Sequence, residues 1–94
     1  MRLSNFTDLL GDDPRIKVLD YMLENCIFDY TKKEIAENAG ISRTTLDTFW
    51  IKLLEYGVLK KTRSIGNGTL YRLNHNSPIV KKMKELDLEI TKAK

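Results

Sequence analysis

The sequence predicts a mainly α fold with one small β-hairpin, an α+β arrangement. Apolar residues recur at three- and four-residue spacing through most of the 94 residues, and capping residues or glycines bound these stretches. The pattern changes to alternation only between Val58 and Asn74, on either side of an Asn-Gly pair. A chain of this length with 41% hydrophobic residues closes one core. We therefore expect one domain over residues 1–76 and a terminal helix over residues 77–94.

The first two predicted helices have clear boundaries. Apolar residues at helical spacing between residues 5 and 10 precede Gly11, which suits a short helix with a glycine C-cap. Asp13 then serves as an N-cap before Pro14, because proline at the first helical position sacrifices no hydrogen bond. The apolar pattern that follows extends this second helix to about Asn25.

The next two predicted helices are separated by a tight turn. Thr31 and Glu34 form a capping box, in which each side chain accepts a hydrogen bond from the backbone amide of the other residue. This helix is short because Gly40 follows, and glycine readily takes the left-handed conformation that ends a helix. Ser42 then caps a longer helix over residues 43–56.

The segment after this helix predicts a two-stranded hairpin. A two-residue Asn67-Gly68 turn pairs Arg63 with Arg72 and brings Lys61, Arg63 and Arg72 onto one face. A four-residue loop keeps these cations together, because the alternation of the strands is unchanged. Opposed like charges repel, so a row of phosphates would relieve the arrangement, although hairpins are also charged simply to remain soluble. Asn67 either enters a minor groove or merely suits the turn.

A last helix begins at Ser77-Pro78 and carries an apolar stripe. Ile79, Met83, Leu86 and Ile90 fall at steps of four, three and four residues. The stripe packs either on its own domain or on the same helix of a second copy. We expect a homodimer, because a chain this short offers little core to cover an extra helix. A dimer suits a palindromic site with half-sites about 10 base pairs, or a multiple, apart.

The order of these elements resembles a known family. Residues 31–74 read TKKEIAENAGISRTTLDTFWIKLLEYGVLKKTRSIGNGTLYRLN. Together with the preceding helix, this segment resembles the winged helix-turn-helix of bacterial and archaeal transcriptional regulators, over about residues 14–74. The resemblance implies a three-helix core, a two-stranded wing and a C-terminal helix. It also implies that the helix over residues 43–56 enters the major groove of double-stranded DNA while the wing contacts the backbone or the adjacent minor groove.

The helix over residues 43–56 divides into two arcs at about 100° per residue. The apolar arc, which we expect to face the core, contains Leu46, Phe49, Trp50, Leu53 and Leu54. The opposite arc contains Thr44, Thr45, Asp47, Thr48, Ile51, Lys52 and Glu55. Arg43 extends beyond the first turn, where a guanidinium can pair with guanine. The predicted DNA-binding residues are therefore Ser42, Arg43, Thr44, Thr45, Thr48, Lys52, Lys61, Arg63, Asn67 and Arg72.

The distribution of charge along the chain supports a polyanionic partner more strongly than the net charge does. The formal net charge is only +3. Residues 1–41 carry −3, residues 42–72 carry +4 and residues 73–94 carry +2. The acidic segment over residues 1–41 is followed by a basic segment over residues 42–72. We therefore expect DNA to contact the last of the three core helices and the hairpin, which lie in the basic segment.

Several classes of function find no support in the sequence. Cys26 is the single cysteine, so we expect no internal disulfide, and His75 is a single histidine that we place on the surface. The hairpin glycines do not form a phosphate-binding loop, and no stretch approaches the roughly 18 apolar residues of a membrane span. We expect a cytoplasmic protein with no catalytic activity, no metal and no cofactor.

Two alternative functions remain open at this point. A winged-helix module that binds protein instead of DNA is favoured by Asp47 and Glu55, which phosphates repel, and by the exposed Ile51. A small-molecule sensor would use a pocket near Phe6, Met22 and Phe28, although no polar groups converge there. A DNA-binding repressor that acts by occlusion is the hypothesis we adopt.

Overall fold

The computed structural model describes residues 4–93. In chain order it contains α1 (Asn5–Leu10), α2 (Pro14–Glu24), β1 (Tyr30–Thr31), α3 (Lys32–Ala39), α4 (Arg43–Glu55), β2 (Leu59–Ile65), β3 (Gly68–Leu73) and α5 (Pro78–Ala93). The predicted fold class, mainly α with a small hairpin, is confirmed.

Side-chain caps fix where the helices begin. Ser42 Oγ accepts a hydrogen bond from the Thr45 amide at 3.0 Å. The capping box is complete, because Thr31 N donates to Glu34 Oε1 at 2.9 Å and Glu34 N donates to Thr31 Oγ1 at 3.1 Å. Gly40 ends α3 with a φ of 76°, a left-handed conformation. The predicted caps at the starts of α3 and α4 are therefore confirmed, and each stabilises its helix by about 1 kcal/mol.

The sheet contains one strand more than the sequence predicts. Its strand order is β1-β3-β2, and β1 consists of Tyr30 and Thr31, which pair antiparallel with Tyr71 and Leu70. Two residues are too few to show a strand periodicity. Because Thr31 is also the N-cap of α3, the sequence pattern at this point indicates only the start of a helix.

The hairpin turn lies one residue earlier than predicted. Ile65 pairs with Gly68, so the turn consists of Gly66 and Asn67 instead of Asn67 and Gly68. The positive φ, 55°, falls on Gly66. Glycine at the first central position is typical of a two-residue hairpin turn that matches the twist of the strands. The prediction of a two-residue turn is thus confirmed, and its position is corrected.

A β-bulge at Thr62 changes the face on which Lys61 lies. Lys61 is opposite Tyr71, whereas Arg63 is opposite Leu70. One extra residue in a strand reverses the alternation of its side chains. Lys61 therefore shares the face of Tyr71, which packs towards α4, and the prediction that it lies beside Arg63 is wrong.

One core unites the helices with the inner face of the hairpin. Its buried apolar residues are Phe6, Val18, Met22, Leu23, Ile35, Ala36, Ala39, Leu46, Phe49, Trp50, Leu53, Val58, Leu59, Leu73, Val80 and Ile90. Trp50 meets the ring of Tyr71 edge-on, with 4.8 Å between centroids, and so packs in the core as predicted. Phe6 and Met22 are core residues while Phe28 is 55% exposed, so these three do not line a shared pocket.

The last helix, α5, belongs partly to this core. Val80 and Ile90 are 0% and 8% exposed, and α5 packs against α1. Ile90 therefore stabilises its own domain, which corrects its assignment to a dimerisation stripe. Ile79 and Leu86 remain 44% and 43% exposed.

Candidate nucleic-acid interface

The helix α4 is held by its apolar side and exposes the opposite side. Leu46, Phe49, Trp50 and Leu53 are all buried in the core. The exposed residues are Arg43, Thr44, Asp47, Thr48, Ile51, Lys52 and Glu55, whereas Thr45 is half-buried. Close packing on one side fixes the rotation of the helix. These exposed residues, called below the outward side of α4, are therefore the surface that the helix presents.

Several hydroxyl groups at the start of α4 are engaged within the helix. Ser42 Oγ donates to Thr45 Oγ1 at 2.9 Å in addition to capping the helix. Thr48 Oγ1 donates to the Thr45 carbonyl at 2.6 Å, so its hydrogen is not available to a base edge. Thr44 is exposed, and its hydroxyl makes no hydrogen bond within residues 4–93. Of the predicted hydroxyl contacts, Thr44 is thus the one best placed to donate to a ligand.

Two cations stand on the outward side of α4 without a carboxylate partner. Neither Arg43, at the first turn, nor Lys52, in the last turn, forms an ion pair with any described residue. Arg43 also lies at the positive end of the helix dipole. This arrangement can bind phosphate at both ends of the helix and a base edge at its start.

The negative charge of Asp47 is compensated from α3. Lys32 Nζ forms an ion pair with Asp47 Oδ1, and it lies 5.3 Å from the centroid of the Trp50 ring. The Lys32 side chain is 27% exposed, against 56% for Asp47. Asp47, which argued against DNA binding in the sequence, is therefore paired with a cation of the same chain. Glu55 is exposed and has no ion pair in the described part of the chain.

The outer face of the hairpin carries three cations, with Lys60 in the place predicted for Lys61. Lys60 lies directly opposite Arg72 on the neighbouring strand, and Arg63 follows on the same face beyond the bulge. Arg72 is half-buried, and its Nε has no hydrogen-bond partner among the described residues. A basic hairpin face is therefore present, although its composition differs from the predicted one.

Asp29 ties Arg63 to the base of the wing. Its Oδ2 accepts from Thr62 Oγ1 at 2.7 Å and from Arg63 Nε at 3.1 Å. The hydrogen bond from Thr62, followed by the contact with Arg63, lowers the pKa of Asp29, while desolvation opposes this shift. Arg63 remains 61% exposed, but part of its charge is neutralised within the chain. Its capacity to bind a phosphate is therefore partly used within the chain.

The tip of the wing exposes a polar and an apolar side chain. Asn67 occupies the turn and is exposed, and Ile65, in the last pair before the turn, is 57% exposed. The predicted contact of Asn67 with a minor groove therefore has the required accessibility and stays a prediction.

His75 is more constrained than a surface histidine. Its Nε2 lies 2.8 Å from the carbonyl oxygen of Cys26, and its Nδ1 lies 2.6 Å from Lys84 Nζ. An ammonium group only donates and a carbonyl only accepts, so Nδ1 accepts and Nε2 donates in a neutral ring. His75 thereby joins the segment after α2 to α5. No spacing in the sequence connects these three residues.

A polar cavity of about 520 Å³ lies among α1, α2 and α5. Asp20, Glu24 and Asp87 line it, and Ser4 Oγ donates to Asp20 Oδ1 at 2.7 Å. Burial raises the pKa of Glu24, and the charges of Asp20 and Asp87 raise it further. Burial and Asp20 raise the pKa of Asp87 in the same way. No group of three or more His, Cys, Asp or Glu residues between positions 4 and 93 is arranged to hold a metal ion.

Together, these elements define a winged helix-turn-helix fold. The helices α2, α3 and α4 form the helical core, α3 and α4 are joined by the turn at Gly40, and the hairpin of β2 and β3 is the wing. The fold implied by the resemblance in the sequence is thus confirmed.

Two solved structures are similar to this chain. AntR, an antimony-specific transcriptional repressor, matches with a TM-score of 0.64 and 22% sequence identity, over 94% of this chain and 75% of its own. A mutant of ZitR from Lactococcus lactis, in its apo form, matches with a TM-score of 0.65 and 17% identity, over 90% of this chain and 67% of its own. At these identities the likeness establishes the fold.

No family model and no curated protein matches the sequence. Within residues 4–93, no helix has both the length and the apolar character needed to cross a membrane.

Proposed function

We propose that this chain is a double-stranded DNA-binding transcriptional regulator that represses by occlusion and has no catalytic activity. In this proposal α4 enters the major groove and the wing contacts the backbone or the adjacent minor groove. The observation that carries it is the outward side of α4, where Arg43 and Lys52 have no carboxylate partner among the described residues and Asp47 is compensated by Lys32. The repressor AntR, which has a similar fold, supports this assignment.

Different residues have different roles in the proposed complex. Arg43 pairs with guanine, because it is exposed at the start of the helix without an ion pair among the described residues, and a guanidinium matches the two acceptors of that base. The first backbone amides of α4, next to Ser42, receive a phosphate, as helix N-termini do. Thr44 contacts a base edge or a phosphate, and Lys52 contacts the backbone. The Ser42 and Thr48 side chains make weaker contributions, because their hydroxyl hydrogens already bond within the helix, and Thr45 contributes less because it is half-buried.

The wing supplies contacts that do not depend on sequence. Lys60 and Arg72, on the outer face of the hairpin, bind phosphates, and Asn67 reaches the minor groove from the tip of the hairpin. Arg63 contributes less to binding, because Asp29 engages its Nε.

We also infer that the protein functions as a homodimer through α5. Pro78, Ile79, Lys82, Met83 and Leu86 line an apolar groove of about 410 Å³ on this helix. The groove lies on the side of α5 that its own domain does not cover, whereas Ile90 packs into the core. A second copy of the same groove would bury both surfaces and present two wings to a palindromic site.

The alternative, a module that binds only protein, loses part of its support. Asp47 is no longer an uncompensated charge, since Lys32 neutralises it. The exposed Glu55 is the remaining acidic residue on the outward side of α4.

A titration against DNA at two salt concentrations tests the proposal. The wild-type protein is added to a labelled random-sequence duplex and to the region upstream of its own coding sequence. The variants Arg43→Ala and Lys52→Ala are compared with Lys92→Ala, which removes one cation that pairs with Glu89 on α5. We expect salt-sensitive binding to both duplexes, tighter on the upstream region, because each neutralised phosphate releases counter-ions.

The outcome distinguishes the two functions. Weakened binding by Arg43→Ala and Lys52→Ala, with Lys92→Ala similar to wild type, supports a DNA-binding role for α4. If the folded wild-type protein binds no duplex at low salt, the DNA-binding proposal is wrong and the protein-interaction module replaces it.

A further inference from the structure

Ile51 is an apolar residue in the middle of the outward side of α4. It is 61% exposed and therefore contributes little to the core. Its helical neighbours three and four residues away are Asp47, Thr48 and Glu55, which are polar, and Leu54, which packs against the core. A stable protein interface buries roughly 800 Å² on each partner, far more than one side chain supplies. The patch around Ile51 is therefore too narrow to serve as a protein-docking surface.

The residues around Ile51 offer few hydrogen-bond donors to a ligand. Thr48 donates its hydroxyl hydrogen to the Thr45 carbonyl at 2.6 Å. The carboxylate of Asp47 is engaged by Lys32. The middle of this side of α4 consequently presents the apolar side chain of Ile51, with Arg43 towards the start of the helix and Lys52 as the next residue. The exposed carboxylates of Asp47 and Glu55 lie about one turn before and after it.

We propose that Ile51 is a specificity-determining residue that contacts the 5-methyl group of thymine in the major groove. This inference rests on the proposed function, in which α4 enters that groove. The thymine methyl is the one methyl group among the base edges there, so it is the group that an exposed isoleucine recognises. The contact discriminates thymine from the other bases without any hydrogen bond.

The geometry of α4 also gives the position of this thymine. Eight residues separate Arg43 from Ile51, which corresponds to about 12 Å along the helix at about 1.5 Å per residue. With base pairs about 3.4 Å apart, the thymine lies about three to four base pairs from the guanine that pairs with Arg43.

Deoxyuridine provides the test, because it differs from thymidine only by the missing methyl group. A tight-binding duplex is selected from a random library with the wild-type protein, and the same duplex is prepared with every thymine replaced by uracil. Dissociation constants for both duplexes are measured with wild type, Ile51→Val, Ile51→Ser and Ile65→Ser. Ile65 is the matched control, since it is 57% exposed at the wing tip but faces no major groove in the proposed complex.

We expect wild type to bind the thymine duplex more tightly, by about fourfold for each contacted methyl group. This ratio falls close to one for Ile51→Ser, is partly retained by Ile51→Val and is unchanged for Ile65→Ser. Uracil placed at one position at a time then identifies the thymine. Replacement of each guanine by 7-deazaguanine, which lacks the N7 acceptor, locates the Arg43 contact about three to four base pairs away.

Two results overturn the inference while the proposed function survives. In the first, wild type binds both duplexes equally well. In the second, Ile51→Ser retains the full preference for thymine, so another group reads the methyl. If instead wild type binds neither duplex at low salt, the DNA-binding function itself fails and the inference fails with it.

Discussion

Lys32 and Asp47 form an ion pair that joins the first residue of α3 to the outward side of α4. The ammonium group of Lys32 also lies 5.3 Å from the centroid of the Trp50 ring, so the cation is held against the core. The pair places a compensating charge beside the one carboxylate in the middle of the proposed DNA-binding surface. Its main effect is therefore on the approach of phosphates.

Removal of Lys32 should weaken binding to every DNA sequence. In Lys32→Met the carboxylate of Asp47 is uncompensated, so we expect affinity for a random duplex to fall about fivefold, or about 1 kcal/mol, at low salt. The free energy of unfolding should fall by less than about 1 kcal/mol, because Asp47 is 56% exposed and solvent screens the pair. Fluorescence anisotropy and urea denaturation measure the two effects.

Two controls separate this effect from a loss of net charge. Lys33→Met removes an equal charge from α3 where the lysine pairs with Glu37, and it should leave affinity close to wild type. The double variant Lys32→Met/Asp47→Asn should recover most of the affinity. Equal weakening by Lys33→Met would show that net charge alone is responsible.

Arg43→Ala should reduce specific binding more than non-specific binding. A bidentate contact with guanine is worth about 1–3 kcal/mol, and random DNA presents the correct base only occasionally. The measurement is the ratio of dissociation constants for a selected duplex and a random duplex. A ratio equal to that of wild type would assign Arg43 to the backbone.

Lys60→Ala and Arg72→Ala should weaken all sequences by a similar factor. These cations lie on the outer face of the wing, and each phosphate contact contributes about 0.9 to the slope of log K against log salt. Titrations at several salt concentrations should show this slope reduced by about one for each variant. An unchanged slope in both variants would remove the outer face of the wing from the proposed interface.

Substitutions on α5 should separate the interface from the core. Ile79→Glu places a charge in the apolar groove, so we expect sedimentation to show a monomer with little loss of stability. Ile90→Ala empties a site that is 8% exposed, so the free energy of unfolding should fall by about 2–5 kcal/mol while the remaining folded protein still dimerises. Lys81→Glu, an exposed change of charge on the same helix, should affect neither property. A monomeric wild-type protein at micromolar concentration contradicts the proposed dimer.

The carboxylates of the polar cavity should make stability decrease with rising pH. The pKa of Glu24 is raised by burial and then by Asp20 and Asp87, so the folded chain holds a proton that the unfolded chain has released. The free energy of unfolding therefore falls as pH rises from the ordinary value of 4.5 through the raised value. Glu24→Gln should be more stable than wild type at about pH 7, by less than about 1 kcal/mol because solvent screens the cluster.

This gain should disappear as the pH falls below 4.5, the ordinary pKa of the carboxyl group. Glu85→Gln is the matched control, since its carboxylate pairs with Lys82 at 3.3 Å and its loss should not stabilise the protein. Denaturation curves at several pH values measure both variants. A gain for Glu24→Gln that is the same at every pH would exclude the electrostatic explanation.

The sequence alone determined the features that depend on neighbouring residues. The caps at Thr31 and Ser42 join groups three residues apart, and the left-handed turn at Gly40 depends on the residue itself. The two sides of α4 follow from the helical period, which also placed Trp50 in the core. These features follow from local geometry, so they do not depend on how distant elements pack.

Tertiary structure decided the features that depend on distant residues. The bulge that separates Lys61 from Arg63 has at its centre Thr62, which bonds to Asp29, 33 positions away. Ile90 joined the core because α5 packs on α1, and the pairing of Lys32 with Asp47 required α3 and α4 to meet. A periodic pattern shows which residues share a face of an element. What covers that face, and which opposite charge meets a given side chain, is settled only when elements far apart in the chain pack together.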